Sequence, residues 1–228
     1  MLPPPKIAEH GGVLVVRDDR MPGGTKRRGL DIMLRADGAE EFVYAGPAYG
    51  YAQIALAYAC RAAGRRATLF VAARREMHPR TAEALMAGAA VYQVPNGYLS
   101  HVRARAAAYC AATGARCLPF GLDCEAMLAG VAAAARSLKV APREVWAVSG
   151  SGTLIRGLQR AWPAAAFHSV LIGKRDADVG RAAVHIAPEK FEESARVRPP
   201  FPSCPNYDAK AWRFVKDRPG ALFWNVGA

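Results

Sequence analysis

With 228 residues, the chain is long enough to bury a sizeable core but short for two full domains. Hydrophobic residues make up 52% of it, which argues against a disordered chain, and no apolar run is long enough to cross a membrane without charges. Lys and Arg outnumber Asp and Glu by 31 to 19, so the formal net charge is +12.

In the first half of the sequence, short β-branched runs alternate with periodic, alanine-rich stretches. These patterns predict strands and helices in turn, with Gly46-Pro47 ending the second strand and Gly64 ending the second helix. The predicted strands are 13–17, 41–45, 67–72 and 90–94, and the predicted helices are 30–36, 53–63, 81–87 and 100–113.

The alternation continues in the second half, with helices at 125–137 and 154–162 and strands at 144–148, 167–172 and, weakly, 184–187. Alternating strands and helices predict an α/β fold: a mostly parallel, twisted sheet with helices on both faces. We expect one compact unit over 1–228, with a small subdomain at 46–118 as an option. The proline-rich segment 189–205 reads as a long loop, either a lid or an ordered surface excursion.

The cysteines and the charge give weaker signals. Five cysteines without a Cys-x-x-Cys pair, and a start without the apolar core of a signal peptide, predict a cytoplasmic protein with mostly buried thiols. The net positive charge reflects either an arginine-rich composition on solvated helix faces or a basic surface that attracts a polyanion. No known nucleic-acid motif chooses between these two interpretations.

A glycine-rich turn follows the apolar run at 145–148 and opens a predicted helix. It consists of Ser149, Gly150, Ser151, Gly152 and Thr153. A strand, such a turn and a helix start form an anion cradle, because backbone N–H groups converge there and the helix dipole favours negative charge. The alternative is an ordinary turn with hydroxyl caps, but two glycines among three hydroxyls exceed what a cap requires.

An early lysine, Lys26, stands in the stretch Gly23-Gly24-Thr25-Lys26-Arg27-Arg28. Taken alone it reads as a surface lysine in a basic turn. An amine nucleophile together with a phosphate cradle indicates a cofactor that carries an aldehyde and a phosphate, which is the outline of a pyridoxal 5'-phosphate (PLP) enzyme. Burial and the neighbouring cations Arg27 and Arg28 would lower the pKa of the lysine and leave it partly neutral.

These features, in order along the chain, resemble the fold-type II (tryptophan synthase β-like) PLP enzymes, nearest to aminocyclopropane-carboxylate deaminase and D-cysteine desulfhydrase. The residues that carry the resemblance are Gly23–Arg28, Gly46–Gly64, Ser149–Gly157, Pro205–Lys210 and Leu222–Ala228. They look like the family's lysine motif, its next strand–turn–helix, its phosphate turn, its Pro-x-Tyr-Glu-Gly-Lys segment and its closing strand. One piece alone is weak, but five in order are fairly specific.

The resemblance implies roles for individual residues. Lys26 would hold PLP as a Schiff base and move the α-proton, and residues 149–153 would bind its phosphate. Asp208 would lie near the pyridine nitrogen and Tyr207 near the reacting carbon. Their alternatives are a turn aspartate and a half-buried aromatic residue. The resemblance also implies a homodimer.

The sequence departs from the family at Pro47-Ala48-Tyr49-Gly50-Tyr51, where a Ser-Asn pair normally contacts substrate and the ring hydroxyl. Tyr49 or Tyr51 could stack on the ring or shape a different substrate pocket. The chain is also about a hundred residues shorter than the family would lead us to expect, which implies a more open site.

Three classes of function follow. The first is a PLP enzyme that decarboxylates an α-amino-acid group or eliminates from it, acting on an amino acid attached to a DNA base or, alternatively, as a lyase or deaminase of a free small amino acid. Small PLP proteins of this superfamily occur in viral (phage) pathways that hypermodify thymine in DNA, and the location would then be the host cytoplasm. The second is a non-catalytic PLP- or phosphate-binding protein, and the third a cofactor-free nucleic-acid-binding domain.

Overall fold

The computed structural model describes residues 2–95, 97–173 and 176–228. Its larger sheet has six strands in the order β1-β2-β10-β7-β8-β9, and every neighbouring pair is parallel except β1 and β2. The strands are β1 (Ile7–His10), β2 (Val13–Arg17), β7 (Glu144–Ser149), β8 (Ala166–Leu171), β9 (Ala183–Ile186) and β10 (Leu222–Asn225).

A second, fully parallel sheet has four strands in the order β5-β4-β3-β6. They are β3 (Glu41–Ala45), β4 (Arg66–Ala72), β5 (Ala90–Val94) and β6 (Arg116–Cys117). This sheet begins before residue 46, where the predicted subdomain starts. Whether residues 46–118 behave as a subdomain stays a prediction.

Helices cover both faces of each sheet. Successive strand residues point to opposite faces and therefore pack into separate apolar clusters. The helices are α1 (Lys26–Ala36), α2 (Tyr51–Ala63), α3 (Pro79–Met86), α4 (Leu99–Thr113), α5 (Glu125–Ser137), α6 (Thr153–Ala161) and α7 (Trp212–Val215). On β3, Phe42 joins the cluster beneath α1 and α2, whereas Val43 joins the cluster beneath α4.

The helices α1 and α5 cross closely between the two sheets. A Cβ atom added at Gly130 would lie 2.6 Å from the backbone of Gly29, so both helices need glycine at the crossing. This contact fixes the position of α1, whose first residue is Lys26.

The predicted α/β class, with mostly parallel strands and helices on both faces, is confirmed, but the strands form two sheets rather than one. Most predicted elements agree with the observed ones within about two residues. The helix expected at 30–36 is longer and begins at Lys26. In the described part of the chain no helix is long and apolar enough to cross a membrane.

Candidate active site

A network of buried contacts holds the first turn of α1, which carries Lys26. Gly24 has a φ of 65°, and a Cβ there would lie 2.5 Å from the Val226 carbonyl oxygen, so only glycine lets the loop approach β10. The Thr25 hydroxyl accepts a hydrogen bond from the Trp224 indole at 2.9 Å. The lysine is therefore fixed against the end of the larger sheet.

A buried ion pair completes this anchor. The Arg28 guanidinium forms two hydrogen bonds to Asp18, at 2.5 and 2.9 Å, and the Thr25 hydroxyl donates to the same carboxylate at 2.9 Å. Both side chains of the pair are at least nine-tenths buried. Removing one partner of such a pair leaves an uncompensated charge in the interior.

The side chain of Lys26 is half-buried, and its Nζ donates a hydrogen bond to the Gly121 carbonyl oxygen at 2.8 Å. Burial lowers the pKa of Lys26 to about 8, against the opposing charge of Asp123. The neighbouring arginines were expected to contribute, but Arg28 is paired with Asp18 and Arg27 donates to the Pro22 carbonyl. With this pKa a minor fraction of the amine is neutral and nucleophilic at pH 7, and the fraction grows as the pH approaches 8.

The glycine turn, residues 149–153, joins the end of β7 to the start of α6. Gly152 has a φ of 82°, and a Cβ there would lie 1.7 Å from the Asp178 carbonyl oxygen, so no other residue fits. Gly152 is also the N-cap of α6, and among the described residues no side chain caps this helix. The first N–H groups of α6 are therefore open to an anion, and binding of a phosphate by residues 149–153 stays a prediction.

The hydroxyl groups of the glycine turn differ in their surroundings. Ser149 is buried and accepts a hydrogen bond from Ser169 on β8 at 2.7 Å, so its side chain faces the sheet. Ser151 and Thr153 share a hydrogen bond of 2.9 Å at the helix entrance. Three hydroxyls are expected to contact an anion, and those of Ser151 and Thr153, at the start of α6, are better placed for this contact than that of Ser149.

Gly121 connects Lys26 to the glycine turn. Its carbonyl accepts the lysine hydrogen bond, and a Cβ on it would lie 3.2 Å from the Cβ of Ser151. Its N–H donates to the Tyr44 hydroxyl at 3.4 Å. The structure therefore brings the lysine and the glycine turn, which are far apart in sequence, to two sides of one backbone loop.

Tyr207 and Asp208 lie on the other side of the glycine turn. The Tyr207 hydroxyl is 3.3 Å from where a Cβ on Gly150 would stand, and burial raises the pKa of Tyr207. Asp208 is fully buried, and its Oδ2 accepts a hydrogen bond from the Gly227 N–H at 3.2 Å. Its Oδ1 has no hydrogen-bond partner among the described residues. Burial raises the pKa of Asp208 to about 8.

The tyrosine turn, residues 46–51, is packed against the protein's own side chains. Tyr49 lies 4.8 Å from Phe191, ring centre to ring centre, and its carbonyl accepts a hydrogen bond from Arg80. The Tyr51 hydroxyl donates to the Ala228 carbonyl at 3.0 Å. The expected stacking of Tyr49 on a cofactor ring stays a prediction.

Sequence reasoning missed Arg80, which the structure brings to the edge of the site. Its guanidinium lies 3.9 Å from the centre of the Tyr51 ring and donates to the Cys204 sulfur at 2.7 Å. An arginine on a predicted helix gives no sequence signal of such a contact. The histidines carry no metal-binding pattern, and the described residues include no group of three potential metal ligands.

No family model and no curated protein matches the chain. The chain is similar to a solved ACC deaminase homologue, with 14% identity and a TM-score of 0.79 over 94% of this chain and 84% of that one. This chain has the fold-type II PLP enzyme fold in shortened form.

Further solved structures have the same fold. A threonine deaminase from T.th. matches with 17% identity and a TM-score of 0.70, covering 94% of this chain and 87% of that one. An O-acetylserine sulfhydrylase from Entamoeba histolytica matches with 12% identity and a TM-score of 0.73, covering 99% and 85%. At such identities the likeness establishes the fold, and function has to be argued from the site.

Proposed function

We propose that the protein is a PLP-dependent enzyme that acts at the α-carbon of an amino acid, with lyase or deaminase chemistry. The observation that carries the proposal is the meeting of Lys26 and the glycine turn at Gly121, an amine of lowered pKa beside an uncapped helix start. The proposal agrees with the chemistry of similarly folded proteins, which include a threonine deaminase and a PLP-dependent aspartate racemase.

The residues present fit this cofactor. Asp208 Oδ1 is a buried oxygen without a partner among the described residues, which suits the N–H of a protonated pyridine ring. The N–H groups at the start of α6 suit a phosphate. Lys26, the glycine turn and Asp208 would hold the aldehyde, the phosphate and the ring nitrogen respectively.

When bound, PLP supplies an electron sink that weakens the bonds at the α-carbon of an amino acid. The chain's own residues do the rest. Lys26, with a pKa of about 8, can accept and return a proton at its Nζ near neutral pH. Tyr207 keeps its proton, because burial raises its pKa, so the hydroxyl beside Gly150 has a proton to donate to a bound group.

The test combines cofactor uptake with turnover. Purified protein is titrated with PLP and then assayed for release of ammonia and 2-oxo acid from a panel of small amino acids. The wild type and Lys216→Ala, which alters an exposed surface lysine paired with Asp217, should take up PLP and turn over. Lys26→Ala should lose turnover by a factor of about 10³ or more. A wild type that takes up no PLP contradicts the proposal, and uptake without turnover indicates the non-catalytic carrier.

A second candidate is decarboxylation of an amino acid attached to a base in DNA. Two features favour it: the net charge of +12, and two arginines near the site. Arg74 lies 5.9 Å from the ring centre of Tyr49, and Arg103 lies 5.8 Å from that of Phe120, next to Gly121. Duplex affinity that falls steeply with added salt would support this candidate, and undetectable binding at low salt would remove it.

We propose a homodimer and a cytoplasmic location as well, the latter in keeping with five free cysteines.

A further inference from the structure

Arg80 joins the two sheets across the candidate site. It lies in the first turn of α3, beside the smaller sheet, and its backbone N–H is held by the side chain of His78 at 3.2 Å. One end of its guanidinium donates to the Tyr49 carbonyl and the other to the Cys204 sulfur, 2.7 Å away. Its plane also packs on the Tyr51 ring, so the side chain contacts three groups at once.

The segment on the far side of this bridge surrounds Asp208. The Cys204 N–H donates to the Gly227 carbonyl at 2.8 Å, and the Ala209 N–H donates to the Cys204 carbonyl at 3.1 Å. The Gly227 N–H in turn donates to Asp208. A contact that fixes the position of Cys204 therefore also fixes the backbone around Asp208, through these hydrogen bonds.

Arg80 also acts on Asp208 through its charge. Burial raises the pKa of Asp208 to about 8, against the Gly227 hydrogen bond and the positive charge of Arg80. The other titratable side chains that face Asp208 are Tyr51, Tyr207, Cys204 and Asp19. Two further cations have partners of their own: Arg17 pairs with Asp19 at 2.7 Å, and the Lys210 ammonium donates to the Lys190 carbonyl at 2.7 Å.

We propose that Arg80 is a positioning residue: it ties the tyrosine turn to the Cys204–Asp208 segment and favours the ionised form of Asp208 that a protonated ring nitrogen requires. The identity of that ring rests on the proposed function. The bridge and its charge are properties of the protein without any cofactor.

Arginine suits this position better than lysine. A guanidinium offers donors in two directions and a flat face for an aromatic ring, whereas an ammonium is a compact point charge. Arg80→Lys should therefore keep most of the effect on the charge of Asp208 and lose the bridge. Arg80→Gln should lose both.

The first measurement needs no cofactor. The side-chain carboxyl carbons of the aspartates are labelled with ¹³C, and the Asp208 signal, assigned by its loss in Asp208→Asn, is followed by NMR against pH. Removal of the Arg80 charge should raise the Asp208 midpoint by about one pH unit in Arg80→Gln, and by less in Arg80→Lys. Arg75→Gln removes an equal charge from an exposed neighbouring site and should leave the midpoint unchanged.

The second measurement is the dissociation constant for PLP at pH 7. We expect it to rise about tenfold in Arg80→Gln, less in Arg80→Lys, and not at all in Arg75→Gln. An unchanged Asp208 midpoint together with an unchanged PLP affinity in a folded Arg80→Gln variant would overturn the inference. If that variant does not fold, a wild-type PLP affinity in Arg80→Lys would overturn it instead.

The two proposals fail in different ways. A shifted Asp208 midpoint in a protein that binds no PLP leaves the role of Arg80 standing and removes the proposed function. PLP uptake by the wild type, with no change on altering Arg80, leaves the proposed function and removes this inference.

Discussion

The glycine turn and the tyrosine turn stand in equivalent settings, because each connects the end of a parallel strand to a helix that no side chain caps. Their surroundings differ. The glycine turn keeps its helix start open and consists of glycines and small hydroxyl side chains. In the tyrosine turn, the Gln53 amide and the Thr81 hydroxyl both donate hydrogen bonds to the Ala48 carbonyl. The Tyr49 ring packs against Phe191, and the Tyr51 ring packs against the Arg80 guanidinium.

This difference separates two questions about function. The open helix start of the glycine turn favours the cofactor part of the proposal. The resemblance predicts substrate contacts at the tyrosine turn, and here that turn is packed with the protein's own groups. A substrate bound at this turn would require the Phe191 segment to move away from Tyr49; otherwise recognition uses other contacts.

The largest effect is expected from breaking the glycine turn with Gly152→Ala. The new Cβ would lie 1.7 Å from the Asp178 carbonyl oxygen and the φ of 82° would be strained. We expect a loss of about 3 kcal/mol or more in the free energy of unfolding, measured by urea denaturation.

Gly64→Ala is the matched control for Gly152→Ala. Its φ is 65°, but a Cβ there meets no atom within 4 Å, so it carries the backbone strain alone. It should cost about 1 kcal/mol. Equal losses in the two variants would contradict the close contact with Asp178.

The next effect concerns Asp208, which lies between the two turns. Its folded-state pKa of about 8 is above its ordinary value of 3.8, so its burial costs stability as the pH rises from about 4 through 8. Asp208→Asn removes this cost. Without cofactor, the variant should gain about 1 kcal/mol or more on the wild type between pH 5 and pH 9, roughly 2–4 °C in Tm.

The same variant should bind PLP about tenfold more weakly or worse, because it loses a charge-assisted hydrogen bond to the ring. Thermal unfolding at the two pH values and a PLP titration measure both effects. Parallel pH profiles of Tm for wild type and variant would mean that Asp208 is not a buried carboxyl of raised pKa.

The smallest effect is expected from Tyr49→Ala in the tyrosine turn. It removes the ring that packs 4.8 Å from Phe191 and should cost about 1 kcal/mol, roughly 2–4 °C in Tm. Tyr98→Ala, at a tyrosine that is 83% exposed, should cost less than about 0.5 kcal/mol. A Tyr49 ring that packs only on Phe191 predicts a PLP affinity of Tyr49→Ala within about threefold of wild type. A tenfold loss would instead support the stacking of Tyr49 on the cofactor ring that the sequence predicts.

The sequence was informative wherever the signal is local. Apart from β6, the strand and helix order from residue 13 to 172 follows from periodicity, and the glycine turn follows from its composition. Local signals were also overlooked: Gly11 and Gly12, both with positive φ, make the two-residue turn of the β1–β2 hairpin. The edge strand β1, which includes Glu9 and His10, has no apolar sequence pattern, because its side chains are only half-buried or exposed.

Other features depend on contacts between distant parts of the chain. The division into two sheets depends on which strands pair, and β6, with two residues, has no pattern of its own. The bridge from Arg80 to Cys204 spans 124 residues and leaves no trace in either local sequence. For the same reason the sequence indicated Lys26 and the glycine turn, but not that Gly121 would bring them together.

We propose that Lys26 is the residue that binds the cofactor aldehyde. To test this, the protein is incubated with PLP and reduced with borohydride, and the modified lysine is found by peptide mass spectrometry. We expect one modified residue, Lys26, and none in Lys26→Ala. Modification at Lys210, a buried lysine whose pKa is also lowered, or at no lysine would contradict it.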